Sequence, residues 1–187
     1  MGRDDVLEAA RELFWRQGFQ ATSMRDIAAR LECSKSALYN YFIGKDDILV
    51  AIIERPFLAL KEALAAAVSS DKPPLERFLV AYGVHLDFHV RTPMDAGMLI
   101  MGRRFVAGEG RRGELRRIAD EYWEIFRTLL EACMADGSIR RMDAPILVNM
   151  LLALPGSLIL SDKQQMSPEE LTKMVMDFAM TGMRGVE

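Results

Sequence analysis

Residues 6–54 read VLEAARELFWRQGFQATSMRDIAARLECSKSALYNYFIGKDDILVAIIE. Val6, Leu7, Ala10, Leu13 and Phe14 recur at helical spacing until Gly18, a residue suited to the turn that ends a helix, which places a first helix over residues 4–17. Ser23 followed by Asp26 is the reciprocal capping pair that opens a helix, and Met24, Ile27, Ala28 and Leu31 give it an inner face. After a turn through Glu32 and Cys33, Ser34 caps a third short helix with Ala37, Leu38, Tyr41 and Phe42 on its buried side, closed by Gly44. Two short helices joined by a tight turn and flanked by packing helices are the minimum that presents a helix to a DNA major groove. The outward positions of the third helix, Lys35, Ser36, Tyr39 and Asn40, are hydrogen-bonding side chains of the kind that read base edges and phosphates. Lys45, at the start of the next helix, lies beside unpaired N–H groups and a positive dipole end, which predicts a phosphate site. Thr22 and Arg25, around the start of the second helix, are placed to grip the backbone across the groove.

The same periodicity continues to the end of the chain. A long helix is expected from Lys45 to about Ser70, kinked near Pro56, where proline removes a backbone donor. Further helices are expected from Pro73 to about Arg91, from Thr92 to about Val106, over 112–135, over 144–160 with a break at Pro155 and Gly156, and from Ser167 onward. No stretch alternates as a strand does, so the fold class is all-α, with nine helices. The division expected is a DNA-binding domain over 1–47 and a ligand-binding and dimerisation domain over 48–187.

Composition sets bounds on these expectations. Half of the 187 residues are hydrophobic and 27% are charged, which excludes a disordered chain. No apolar run is long enough to span a bilayer, and the N-terminus opens into an amphipathic segment without a signal core, which predicts a cytoplasmic protein. Cys33 and Cys133 form neither a disulfide framework nor a metal-ligand spacing. The net charge is −3, and residues 1–47 hold seven Lys/Arg against eight Asp/Glu, so bulk charge does not argue for DNA binding. Placement of the cations has to carry that reading.

On these residues the chain resembles the TetR family: a helix ending in Gly-aromatic, an Ala-Thr-Ser start, Asp-Ile-Ala, then Ser-Lys-x-x-Leu-Tyr-x-x-Phe and Lys-Asp-x-Leu. The resemblance runs from Val6 to Ile53. It implies that Lys35, Ser36, Tyr39, Asn40, Tyr41 and Lys45 stand at DNA-contacting positions. It also implies a homodimer that sets two copies of the third helix in successive major grooves of a near-palindromic operator, blocks transcription, and is released when a ligand changes the tilt of the fourth helix. Glu32 stands where Gly is common in that family's turn, Ser36 where Gly is common in the third helix, and Asn40 where His or Tyr is frequent. The competing class is a helical small-molecule-binding protein or enzyme that keeps the fold without reading DNA.

Other motifs weigh less. Gly108-x-Gly110-x-x-Gly113 has the spelling of a dinucleotide fingerprint but no strand before it, and reads as a loop. His85 and His89 share a helix face around Asp87 without the Glu of a zinc-protease motif. No nucleophile, base and acid assemble into a catalytic set, so neither an enzyme nor a cofactor or metal is expected. Thirteen methionines suit adaptable apolar sites. A mainly apolar cavity with a few polar groups is expected from Tyr82, His85, His89, Met98, Met101, Phe105, Tyr122, Trp123, Phe126 and Asn149, for a hydrophobic or aromatic effector. In the last helix the apolar residues cover an arc of roughly 240°, wider than one core-facing stripe. Met176, Met180 and Met183 are therefore expected on a second face that, with the preceding helix, closes a two-fold four-helix bundle.

Overall fold

The computed structural model describes residues 1–102, 111–159 and 166–184. Among them the chain forms α1 (Arg3–Gln17), α2 (Met24–Arg30), α3 (Lys35–Tyr39), α4 (Lys45–Val68), α5 (Pro74–Arg91), α6 (Pro93–Gly102), α7 (Arg111–Ala135), α8 (Ala144–Ile159) and α9 (Pro168–Met183), and no strand. The starts of α2 and α9 follow the capping logic of the sequence. Asp26 N–H donates to Ser23 Oγ at 3.2 Å while Ser23 N–H donates back to Asp26 Oδ2 at 2.8 Å. Ser167 and Glu170 repeat the exchange at α9. The Gly108–Gly113 motif, the last turns expected for α6 and Phe105 lie wholly or in part outside the described residues.

The chain divides into two compact units, residues 1–57 with 97–116, and residues 58–96 with 117–187. The first unit therefore reaches past residue 47. Ile48, Leu49, Ile52 and Ile53 on the first turns of α4 are buried with Phe14, Ile27, Leu38 and Phe42, so α4 begins inside the core that supports α3. α6 meets α1 closely in this unit: a Cβ on Gly97 would stand 2.3 Å from Cζ3 of Trp15, so a larger residue there requires the indole to shift. α4 runs unbroken through Pro56, and α8 through Pro155.

The turn between α2 and α3 has a conformation that its residue resists. Cys33 N–H donates to Ala28 O at 3.0 Å and Glu32 N–H to Ala29 O at 3.2 Å, the paired bonds of a Schellman motif. This puts Glu32 in the left-handed region, φ +52°, where a Cβ is strained. Glu32→Gly is expected to stabilise the protein by about 1 kcal/mol and to raise its melting temperature by roughly 2–4 °C. Thermal unfolding of the two proteins checks this; a lower melting temperature for the variant contradicts the strain.

In the second unit α5 buries Phe78, Ala81, Tyr82, His85, Leu86 and His89 along one face. Ion pairs tie its elements at the rim. Lys61 on α4 pairs with Glu121 on α7, and Arg91 Nη2 on α5 donates to Glu169 Oε1 on α9 at 2.8 Å.

Candidate functional site

α3 has five residues, and it is held from below rather than by its own length. Its Leu38 and the following Phe42 are completely buried, while Ser34 Oγ accepts from Ala37 N–H at 3.2 Å to fix its start. Lys35, Ser36, Tyr39 and Asn40 consequently face solvent together, with Lys35 Nζ 5.5 Å above the Tyr39 ring. Arg25 is exposed on the first turn of α2. Tyr41, expected on the buried side, is exposed. α3 ends at Tyr39, and the Tyr41 hydroxyl donates to the Met1 carbonyl at 3.1 Å. The sequence reading passed over Ile43, which is 89% exposed between α3 and α4. An aliphatic side chain standing that far out of a protein is its own signal, visible only once the loop is placed.

Two residues assigned to phosphate contacts are engaged inside the unit. Thr22 is buried, its hydroxyl donating to Gly18 O at 2.8 Å and accepting from Gln17 Nε2 at 3.3 Å. Lys45 Nζ donates to the carbonyls of Phe19 and Thr22, each at 2.7 Å, and to Gln20 at 3.4 Å, and lies 4.4 Å from the Phe19 ring centroid. An ammonium has three protons, and three carbonyls account for them. Lys45 thus clamps the first residue of α4 to the α1–α2 loop immediately before the Ser23 cap.

In the second unit the expected cavity residues separate. Tyr82, His85, His89, Tyr122 and Phe126 come together: His85 Nδ1 lies 2.6 Å from Tyr122 Oη, and the His85 ring centroid is 4.2 Å from that of His89 and 5.8 Å from that of Phe126. The Tyr82 hydroxyl donates to Leu151 O at 3.0 Å. Leu151 O is available because the residue four positions on, Pro155, has no N–H to offer it. Trp123 and Asn149 bond each other at 3.3 Å, with Asn149 exposed on α8. Met98 is buried in the first unit, and the side chains of Met101 and Phe105 lie outside the described residues.

Burial pushes both histidines below the usual imidazole range, and at His85 the neighbouring His89 opposes a charge as well. Burial likewise pushes the Tyr82 and Tyr122 hydroxyls up. The folded state therefore binds fewer protons than the unfolded chain once the pH drops below 6.5, the ordinary histidine value. Stability is fully present above that pH and is lost as acid is added, by up to about 1.4 kcal/mol per pH unit for each histidine. Melting curves between pH 7.5 and 5 should slope this way, and replacing both histidines by Phe should flatten them; a slope unchanged by the replacement contradicts the assignment.

α9 turns Leu171, Val175, Ala179 and Met183 inward. Met183, expected outside, is 1% exposed, and Met176 is half-buried, with its Cε 4.0 Å from the Cβ position of Gly83 on α5. Met180 is half-buried. The outward apolar stripe is Met174 and Phe178, with Ile146 and Met150 exposed on α8; Phe178 is 68% exposed. The arc was read correctly as two faces, but the edge that looks outward is the other one.

Known proteins match this architecture over most of its length. Residues 6–52 match the family described as bacterial regulatory proteins, tetR family, and residues 71–183 match the tetracyclin repressor-like C-terminal domain. The chain is 23% identical over 139 residues to the HTH-type transcriptional repressor NicS of Pseudomonas putida, covering 74% of the chain and 66% of NicS. It is 26% identical over 174 residues to the HTH-type transcriptional repressor DhaR of Mycobacterium sp., covering 90% of the chain and 86% of DhaR. The fold superposes on the crystal structure of AibR in complex with isovaleryl coenzyme A and operator DNA with a TM-score of 0.80, at 18% identity, over 94% of this chain and 96% of that one. With both halves matched in order, and with the helix-turn-helix and helical second unit in place, the chain belongs to the tetR family of bacterial regulatory proteins.

Proposed function

We propose that this regulator is a homodimeric repressor that reads a near-palindromic operator with α3 and is released by a small, mainly apolar effector held in its second unit. The observation that carries the reading is the exposed row of Lys35, Ser36, Tyr39 and Asn40 on a helix locked by Leu38 and Phe42. A near-neutral reading head has little general attraction for phosphates, so specific contacts must supply the affinity. Ile43 adds an apolar contact suited to a thymine methyl group or a sugar. Arg25 and Lys35 supply the cations directed at the duplex, and Tyr41 reaches it from the end of α3. The names of NicS and DhaR as repressors, and of AibR as bound to operator DNA and an acyl thioester, support repression and effector release.

The second copy is proposed to pack on Ile146, Met150, Met174 and Phe178, with Met180 at the margin. These four residues make an exposed apolar stripe on two adjacent helices, and a two-fold axis across it buries both copies at once. In gel-shift titrations Lys35→Ala and Tyr39→Ala should each weaken operator binding about tenfold without changing the melting temperature. Unchanged affinity in both variants argues instead for a helical ligand-binding protein that does not use α3 on DNA.

A further inference from the structure

His85 holds a ring nitrogen that the rest of the interior does not satisfy. The residue is 2% exposed, and its Nε2 completes no hydrogen bond among the described residues, although buried polar atoms in native proteins are nearly always paired. The Leu152 carbonyl faces the ring as a backbone acceptor and favours its protonation, but it lies outside the distance and angle of a completed hydrogen bond at Nε2. The other nitrogen is engaged, with Nδ1 2.6 Å from Tyr122 Oη; with the Tyr122 hydroxyl assigned as the donor to Nδ1, the imidazole proton sits on Nε2. His89 is oriented in the opposite sense. Its Nδ1–H donates to the His85 carbonyl at 2.9 Å, which leaves the lone pair on its own Nε2. Around the two rings stand Tyr82, Phe126 and Phe88, with ring centroids 5.6–5.9 Å from the nearer histidine.

We propose that His85 Nε2–H is the anchor for the effector, and that the group it grips is an uncharged carbonyl carried on an apolar body. The proposal rests on the reading of the second unit as the effector domain and adds the chemistry of the ligand to it. A buried N–H calls for an acceptor, which a plain hydrocarbon does not have. A carboxylate is an acceptor too, but it would enter an aromatic surround in which both imidazoles are neutral, and burying its charge without a cation is unfavourable. A ketone, ester, amide or thioester oxygen satisfies the donor at no charge, and the flanking rings suit a flat or branched apolar remainder.

Three probes with one apolar body separate these cases: 4-phenylbutan-2-one, butylbenzene and 4-phenylbutanoate, titrated into the DNA-free protein with histidine ring nitrogens labelled with 15N. The ketone should shift the His85 Nε2 resonance saturably and raise the melting temperature, and should bind at least about tenfold more tightly than the other two. His85→Phe should remove that preference, and His85→Gln, which keeps an N–H donor, should retain it. Equal binding of ketone and hydrocarbon, tighter binding of the carboxylate, or no shift at His85 with any probe overturns the proposal, and the wild-type comparison stands whether or not a variant folds. Gel shifts on the same protein separate the two readings. Operator binding without ketone binding removes only this inference, and ketone binding without operator binding removes only the repressor reading.

Discussion

Phe178→Glu is expected to turn the dimer into a monomer and to weaken operator binding by on the order of 10²–10⁴-fold. Among the described residues Phe178 is the most exposed large apolar side chain on α8 and α9, with Met174 one turn before it and Ile146 and Met150 on the neighbouring helix. A charge at the centre of a self-complementary face meets its own copy across the two-fold axis, so the repulsion and the desolvation both count. The loss on DNA follows from geometry, because a linked pair of reading heads gains from the high effective concentration of the second head once the first is bound, and a monomer forfeits it. The inward stripe of Leu171, Val175, Ala179 and Met183 is untouched by this change, so the monomer should keep its helical content. Light scattering and gel shift measure both effects. A dimeric variant with undiminished affinity places the interface elsewhere.

The second large effect is expected at Lys45. Replacing it with Met keeps the aliphatic stem and removes the ammonium, which leaves the carbonyls of Phe19 and Thr22 without the donor now 2.7 Å away. Loss of charge-assisted bonds at a half-buried position costs about 2–3 kcal/mol of stability. It also frees the loop that sets the start of α2, so operator affinity should fall roughly 100-fold through misplacement of α2 and α3. The salt dependence of binding distinguishes this from a phosphate contact. A positioning role leaves the slope of log affinity against log salt unchanged, whereas a lost phosphate contact reduces it by about 1. A reduced slope with an unchanged melting temperature would restore Lys45 to the DNA.

Lys45 also illustrates where the sequence stopped being legible. Features carried by residues three or four apart were readable: the Ser23–Asp26 and Ser167–Glu170 caps are written in the chain itself, and so are the helices found among the described residues. A four-carbon side chain at a helix start has no such local signature. Its isolated-helix reading pointed to an anion, and the approach of the 19–22 loop redirected it to carbonyls. Tyr41 was misread because a five-residue helix is too short to carry a period beyond its own end. The periodicity of α9 showed an apolar arc too wide for one stripe but was read with Met176, Met180 and Met183 outward, whereas Met183 is buried and Met174 and Phe178 look out. Pro155 read as a break, but α8 continues because the Tyr82 hydroxyl serves the carbonyl that proline strands. His85 and His89 were legible as a polar pair, yet the pairing of His85 with Tyr122 spans 37 residues and only the fold supplies it.

The central claim is that α3 reads DNA sequence, and selection of bound duplexes from a random pool by the full chain tests it most directly. The account predicts convergence on an inverted repeat whose half-sites are centred one helical turn, about 34–36 Å, or a multiple of it apart. It further predicts that Tyr39→Ala relaxes the preference at matching positions in both halves. Recovery of no enriched sequence after repeated rounds at low salt, by a protein shown to be folded and dimeric, would contradict it.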